Sequence, residues 1–307
     1  MGNISKLQPT VSVIIPTYNH AEFLREALES LRAQSFEDWE AIVVNNFSED
    51  ETISVVESFS DTRIRLENFR NHGVIAASRN YGISLVKGEL LAFLDSDDLW
   101  YPEKLARCIE CLDEGVDLVC HGLRTFGDGQ EVEVFAGPES CATYEALLYR
   151  GNCLTPSATV VRKKIVTEVG GFSEDPEKIT SEDYHLWIKL AQAGARMKFT
   201  RSILGRYRIH SGNQSGSIIK HLNSIIAVVE DFFPDVSEQT VFTWIRIRRR
   251  FSIAYYGAGR ELQKQGRCHE ACLQFLRASI CWPFYLKIYI AALLNITCCN
   301  IGRWLMR

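Results

Sequence analysis

The sequence predicts an α/β fold with a mostly parallel central sheet, followed by a helical C-terminal module. Three observations predict it. Short apolar runs alternate with segments of helical spacing over the first hundred residues. The strands this implies are separated by helices, and parallel pairing needs a crossover of a dozen or more residues. From about His221 onward the chain reads mostly as helix.

Taken in order, Val11–Ile15 is a short apolar run ended by Pro16 and reads as a buried strand. Ala21–Ala33 has helical spacing, with Phe23, Leu24, Ala27, Leu28 and Leu31 on one face. Trp39–Val44 is a second strand, and Asp50–Phe59 a helix with Ile53, Val56 and Phe59 inward. Ile64–Leu66 is a short third strand, Val74–Val86 a helix and Leu90–Leu94 a fourth strand. Sheets of this kind bind ligands beyond the carboxyl ends of their strands. The segments after Ile15, Val44 and Leu94 are therefore expected to meet in one crevice.

From Tyr101 the pattern is mixed. Glu103–Leu112 and Ser181–Ala193 read as helices, the second opening on acidic residues. Leu118–Val119, Glu131–Phe135, Ala158–Val161, Arg196–Phe199 and Leu204–Ile209 read as strands.

Composition bounds the function. The chain has 307 residues, 46% of them hydrophobic and 23% charged, and a formal net charge of −4. A general polyanion-binding protein is usually basic over at least one domain, so nucleic acid is not an expected partner. Ten cysteines occur without a signal-peptide pattern, which predicts reduced thiols and a cytoplasmic protein. Cys108 and Cys111 form a C-x-x-C with no second pair at zinc-finger spacing, so core packing is expected for them. Core packing is also expected for Cys268 and Cys272.

Asp95-Ser96-Asp97-Asp98 directly follows the strand Leu90–Leu94. Three carboxylates in four positions repel one another, and a divalent cation offsets that repulsion. Mg2+ or Mn2+ held by one or two carboxylates, with substrate phosphates completing the shell, suits so few protein ligands. The alternative is a solvated acidic turn capping the helix that begins near Pro102. Glu182 and Asp183 sit where a helix begins, and compensation of its dipole is likewise their alternative reading.

The order of motifs narrows the choice. Ser12-Val13-Ile14-Ile15-Pro16-Thr17-Tyr18-Asn19 opens the fold; Asn71-His72-Gly73 and Ala77-Ser78-Arg79-Asn80-Tyr81-Gly82-Ile83 follow. Then come Asp95-Ser96-Asp97-Asp98, Ser181-Glu182-Asp183 and Tyr207-Arg208-Ile209-His210. This series resembles the family 2 glycosyltransferases, inverting enzymes with a GT-A fold, over about residues 10–215. The resemblance implies a GT-A domain over 1–220, with a donor half at about 10–100 and an acceptor half at about 101–220, and a helical module over 221–307.

It also implies roles. Pro16, Thr17 and Tyr18 would form the loop that touches the nucleotide. Arg79 would contact the donor diphosphate, a task suited to its planar, permanent charge; a surface salt bridge is its alternative. Asp95, with Ser96 beside it, would be the first acid of a DXD motif, close to ribose or metal, and Asp97 its metal ligand. His210 would coordinate metal or contact phosphate; a polar loop residue is the alternative. Asp183 would be the base that takes a proton from the acceptor hydroxyl as it attacks the anomeric carbon. Glu182 and Asp98 are assisting candidates, Asp98 alternatively capping the next helix. The implied partners are a nucleotide-sugar donor and a glycan or lipid-linked acceptor, with Mn2+ or Mg2+ as cofactor.

The chain departs from the family at Asn45-Asn46-Phe47-Ser48, where Asp-Asp-Gly-Ser is usual. Asn46 occupies the position that often accepts a hydrogen bond from the nucleobase. An amide can accept and donate, whereas an ionised carboxylate only accepts, so the donor base is left open. Asn152-Cys153-Leu154-Thr155-Pro156-Ser157 and the segment around Gly170-Gly171-Phe172 are expected on the acceptor side, although Gly170-Gly171 also reads as a helix stop.

Tyr256–Pro283 reads as two helices around Gln265-Gly266-Arg267. One such hairpin cannot build a repeat array, which needs about three units. Phe284–Arg307 is heavily apolar but interrupted by Lys287, and a lysine at the centre of a membrane span costs about 2.5–3.5 kcal/mol. Arg303, Trp304 and Arg307 suit a membrane interface, and Arg246, Arg248, Arg249 and Arg250 would attract anionic lipid. Peripheral contact with a membrane, on its cytoplasmic face, is one expectation, and packing on the protein or a partner is the other.

Two rival classes remain. A nicotinamide-dependent oxidoreductase would need its glycine fingerprint between strand and helix. Gly257-Ala258-Gly259-Arg260-Glu261-Leu262 lies within helical sequence instead. A catalytically inactive nucleotide-sugar-binding protein is supported through Asn45-Asn46 alone.

Overall fold

The computed structural model describes residues 8–112, 115–210, 212, 217–233 and 240–305, with side chains described as far as residue 295. The chain divides into two compact units. One comprises Met1–Leu147 and Asn152–Asn213, the other Leu148–Gly151 and Gln214–Arg307.

The first unit opens with β1 (Val11–Thr17), α1 (Ala21–Arg32), β2 (Trp39–Asn45), α2 (Thr52–Ser58), β3 (Ile64–Asn68), α3 (Ile75–Leu85) and β4 (Leu90–Phe93). It continues with β5 (Leu99–Trp100), α4 (Lys104–Cys111), β6 (Leu118–Gly127), β7 (Glu133–Val134), α5 (Tyr144–Arg150), β8 (Thr159–Arg162), α6 (Lys163–Glu168), α7 (Glu182–Gln192) and β9 (Met197–Ile209). The last residues of α5 fall in the second unit.

The strands form one sheet in the order β3-β2-β1-β4-β8-β6-β9-β5, with β7 on β6. β3, β2, β1 and β4 are mutually parallel. β8 runs antiparallel to β4 and β6, β9 is parallel to β6, and β5 is antiparallel to β9. β1, β2 and β4 are buried on both faces, which explains their apolar runs, whereas β3 at the edge is half-buried. Leu24, Ala27, Leu28 and Leu31 of α1 cover one face. On α3, a Cβ at Gly82 would stand 2.7 Å from Ile14 and 3.4 Å from Val44. The glycine therefore lets α3 lie close on the sheet and carries Arg79, one turn earlier, inward.

Several sequence expectations need correction. Ile53 is exposed and Val55 is buried in its place, because α2 starts at Thr52 and is rotated accordingly. The segments at Arg196–Phe199 and Leu204–Ile209 are one strand, β9, bridged by the polar and largely exposed Thr200-Arg201-Ser202. Register shifts around Gly122 let β6 stay paired along it. β6 runs on to Gly127, well past Val119. β5, α5 and α6 have 2, 7 and 6 residues, too few to show a period.

The second unit holds α8 (Ile218–Asp231), α9 (Val241–Lys264), α10 (Cys268–Cys281) and α11 (Leu286–Leu305). α9 and α10 meet at Gln265-Gly266-Arg267, where Gly266 takes a φ of +73°. Gly259 of α9 faces Phe275 of α10; a Cβ there would stand 2.6 Å from the ring. Leu262, Ala271, Phe275, Ala278, Ile288 and Ala291 make the core of this unit. No helix among the described residues is long and apolar enough to cross a membrane. The side chains of Arg303 and Trp304, and Arg307 altogether, lie outside the described residues.

Cys108, Cys111 and Cys272 carry free thiols, as core packing predicts. Cys268 does not: it is disulfide-bonded, with its partner outside the described side chains. The expectation that all ten cysteines are reduced therefore fails at Cys268.

Candidate active site at the carboxyl ends of the strands

The parallel strands end level with one another. Thr17, Asn45 and Asn68 are in register across β1, β2 and β3. Beyond β4, Leu94 N–H still donates to Ile14 O (3.1 Å), so Asp95–Asp98 begins at the same edge. The chain turns there, with Asp98 N–H donating to Asp95 O (3.0 Å) and Asp95 N–H to the Ser157 hydroxyl (3.1 Å).

Arg79 organises one side of this edge. Its Nη2 donates to Asp95 Oδ1 and its Nη1 to Glu182 Oε1, both at 2.7 Å. The side chain is 3% exposed and lies over the Phe172 ring, 5.4 Å from its centroid. Burial opposes its charge, but Asp95 and Glu182 outweigh burial and hold the guanidinium above its ordinary pKa. Glu182 Oε2 accepts from Thr180 N–H (2.9 Å), and Thr180 has a φ of +83°. That is a rare conformation for a β-branched residue, and strain of this kind clusters at functional sites.

Asp183 follows at the N-terminus of α7 and is half-buried. Burial, and then the charge of Glu182, push its pKa up to about 7, against the pull of Arg79. Asn152 Nδ2 donates to Asp183 Oδ2 at 3.3 Å. A carboxylate so poised can take a proton near neutral pH.

On the other side, Asp97 Oδ2 lies 2.9 Å from His210 Nε2. Arg208, near the end of β9 and two residues before His210, donates from its backbone N–H to Asp98 Oδ1 (2.9 Å). Its guanidinium donates from Nε to Asp97 O and from Nη2 to Glu26 Oε2, each at 2.8 Å. Asp98 is fully buried, and burial, followed by the charges of Asp97 and Asp95, raises its pKa well above the usual range. It ties the acidic turn to β9 and does not cap α4, whose N-terminus has no side-chain cap. His20 Nδ1 and the Ser96 hydroxyl are 3.0 Å apart, and the His20 and His210 rings meet edge to face at 5.8 Å.

The nucleotide-loop candidates lie at the ends of β1 and β2. Pro16 and Thr17 are buried within β1, so of the three loop candidates Tyr18 alone is open to solvent. The Thr17 hydroxyl has no hydrogen-bond partner. Asn45 is buried; it donates to Asn68 Oδ1 (2.8 Å) and accepts from the Ser48 hydroxyl (2.6 Å). Asn46 donates from its backbone to Thr17 O, and its Oδ1 accepts from Asn71 N–H, each at 3.0 Å. A backbone donor fixes which end of this amide faces it. The Asn46 NH2 group is thereby turned away from Asn71.

Among the described residues no three His, Cys, Asp or Glu converge as a metal site of their own. Asp97 and His210 do present an oxygen and a nitrogen side by side, a donor pair that fits Mn2+ or Mg2+ if substrate and water supply the remaining ligands. Asp95 has one oxygen engaged by Arg79.

The family model described as "Glycosyl transferase family 2" matches residues 12–165. The chain belongs to glycosyl transferase family 2. An uncharacterized glycosyltransferase of Rickettsia felis is 32% identical over 75% of this chain, which spans 39% of that longer protein. The Escherichia coli WfgD, a UDP-Glc:alpha-D-GlcNAc-diphosphoundecaprenol beta-1,3-glucosyltransferase, is 29% identical over 72% of this chain and 86% of its own. S. aureus TarS 1-349, solved with UDP-GlcNAc, has a TM-score of 0.66 at 18% identity over 93% of this chain and 89% of its own. The mannosyltransferase PcManGT of Pyrobaculum calidifontis, solved with GDP-Man and Mn2+, has a TM-score of 0.61 at 18% identity over 98% and 86%. These likenesses establish the GT-A fold.

The glycosyl transferase family 2 match ends before Glu182, Asp183 and His210. The geometry nevertheless brings Glu182 and Asp183 to Arg79 and Asp95, and His210 to Asp97. Sequence reasoning did not single out His20, Asn152, Ser157 or Arg208 as contacts of these groups, although Asn152 and Ser157 delimit the segment expected on the acceptor side and Arg208 lies within the Tyr207–His210 motif.

Proposed function

We propose that the chain is an inverting glycosyltransferase that moves a sugar from a nucleoside-diphosphate sugar to a hydroxyl of a glycan or lipid-linked acceptor. The reading rests on one observation above all. Arg79 holds both Asp95 of the acidic turn and Glu182 at 2.7 Å, which brings the carboxylate of the next residue, Asp183, to the same strand edge.

In this reading the donor lies across the strand ends, with its nucleoside toward Thr17, Tyr18 and Asn46 and its diphosphate toward Asp95, Ser96 and Asp97. Asp183 accepts the proton of the acceptor hydroxyl while the oxygen attacks the anomeric carbon. The nucleoside diphosphate leaves from the opposite face, so the configuration inverts. Arg79 keeps Glu182, and through the chain Asp183, at a fixed distance from Asp95. A divalent cation, Mn2+ or Mg2+, held by Asp97 and His210 would offset the charge growing on the leaving diphosphate. The Mn2+ in PcManGT supports that choice. The diphosphoundecaprenol-linked sugar named for WfgD supports a lipid-linked acceptor, and such an acceptor lies at a membrane surface.

Thermal unfolding with UDP, GDP, CDP and dTDP, each with and without Mn2+ or Mg2+, tests the donor half. One nucleotide should raise the melting temperature strongly, and more with metal, because a ligand of the folded state stabilises it by mass action. No shift with any pair would refute the reading. Binding followed by no transfer to any acceptor would favour an inactive sugar-nucleotide binder.

A further inference from the structure

The second unit carries an outward apolar stripe that its own core does not need. On α11, Leu286, Tyr289, Ile290, Leu293 and Leu294 are all at least 48% exposed. Their spacing of three and four residues places them along one side of the helix. Ile288, Ala291 and Asn295, at most 2% exposed, take the opposite side. Just before the helix, Phe284 is 76% exposed and packs edge to face on Trp282 at 5.2 Å.

Charge says what covers this stripe. The protein is net negative, yet Ala271–Arg307 contains no Asp or Glu, and neither does Thr240–Arg260. Lys287 flanks the apolar stripe and is exposed, as are Arg277 on α10 and Arg249 on α9. At the entry to α11, Arg248 donates to the Ile280 and Cys281 carbonyls and lies over Trp244. That anchors the start of α9 to the turn between α10 and α11. With no Asp or Glu in this stretch, a second copy would offer Lys287 no carboxylate from the same face, whereas an anionic surface would satisfy it.

We propose that α11 lies in the plane of an anionic lipid bilayer, its Leu286–Leu294 stripe among the acyl chains and the adjoining Lys287 at the headgroups. An amphipathic helix with basic flanks and aromatic edges binds membranes in this way, and its long cationic side chains reach back to the phosphates. The inference goes beyond the proposed transfer reaction and draws on the helical unit alone.

Flotation of the full-length protein with vesicles tests it. Vesicles of phosphatidylcholine alone are compared with equal parts phosphatidylcholine and phosphatidylglycerol, at low and raised salt. The protein should float with the anionic vesicles, less so at raised salt, and poorly with phosphatidylcholine alone. Leu286→Glu/Ile290→Glu/Leu293→Glu should lower the bound fraction roughly tenfold or more. Arg277→Glu/Lys287→Glu, at sites exposed enough to leave the fold intact, should remove the preference for anionic lipid. The proposal is overturned if the wild type stays unbound with anionic vesicles, or if both variants float as well as it does. It is also overturned if light scattering shows a dimer that the apolar variant dissociates while no vesicle binding occurs. Sugar transfer to a soluble acceptor in vesicle-free buffer reports on the catalytic reading separately, so either can fail alone.

Discussion

Arg79 and Glu182 are 103 positions apart in the sequence and joined by a 2.7 Å ion pair in which both side chains are less than a tenth exposed. The same guanidinium holds Asp95 at 2.7 Å, so one cation ties α3, the turn after β4 and the start of α7. Removing one partner of a buried pair leaves the other charge uncompensated. Arg79→Ala should therefore destabilise the protein by about 3–5 kcal/mol in urea unfolding. Arg79→Lys should recover only part of this, because an ammonium cannot serve two carboxylates through a planar fork. A loss below the effect of ordinary surface substitutions would show that the pair does not organise the site.

The Asn152 amide favours the charged form of Asp183. Transfer should rise with pH through an apparent pKa near 7, the value at which burial and Glu182 set Asp183. Asn152→Ala withdraws the amide donor, so the rise should move to higher pH; kcat/KM profiles read this directly. Stability follows the same group with the opposite sense. Between the usual carboxylate range and about 7 the folded state keeps a proton that the unfolded chain has lost. Asp183→Asn should thus be more stable than the wild type at pH 8 and little different at pH 4.

Loss of either Asp97 or His210 should cost the metal-dependent part of donor binding. Saturating ligand at about 100 times its dissociation constant adds roughly 2.7 kcal/mol of apparent stability. In Asp97→Ala and His210→Ala, the increment that Mn2+ adds to the nucleotide's thermal shift should disappear, while the metal-free shift persists.

How much of this was legible beforehand differs from place to place. The parallel half of the sheet was readable because β1, β2 and β4 are buried runs of apolar residues and α1 keeps one apolar face. β9 was not readable as one strand, because Thr200–Ser202 faces solvent and breaks the apolar pattern. Arg79, Asp95, Asp97, Asp183 and His210 could be named from motif order. Their pairing could not, since Arg79–Glu182 and Asp97–His210 are contacts across more than a hundred residues. The segment Asn152–Ser157 could be assigned to the acceptor side, but its individual contacts, Asn152 to Asp183 and Ser157 to Asp95, could not, because short polar segments carry no period.

Lys104 offers a test of the core. It is fully buried over the Trp100 ring, 3.5 Å from its centroid, and burial lowers its pKa to about 8. Between pH 8 and the ordinary lysine value the unfolded chain binds the extra proton, so stability from this group grows as pH rises through that window. Lys104→Met should flatten the slope and raise stability at pH 7 by on the order of 3 kcal/mol. Urea unfolding at pH 7 and pH 9.5 measures both.

Asn46 turns its amide oxygen to Asn71. In Asn46→Asp one carboxylate oxygen can keep that bond, and the other presents an acceptor where the wild type presents N–H donors. Uracil carries an N–H at N3 and cytosine an acceptor there. The ratio of UDP to CDP affinity should rise on substitution, by about tenfold for one exchanged hydrogen bond. An unchanged ratio would place the base elsewhere.

The central claim is that Asp183 removes the acceptor proton. Its most direct measurement is the transfer rate of Asp183→Asn at saturating donor, once the thermal screen has identified the nucleotide. An amide cannot take the proton, so transfer should fall by about 10²–10⁴-fold with nucleotide affinity kept. Transfer at the wild-type rate would contradict the account.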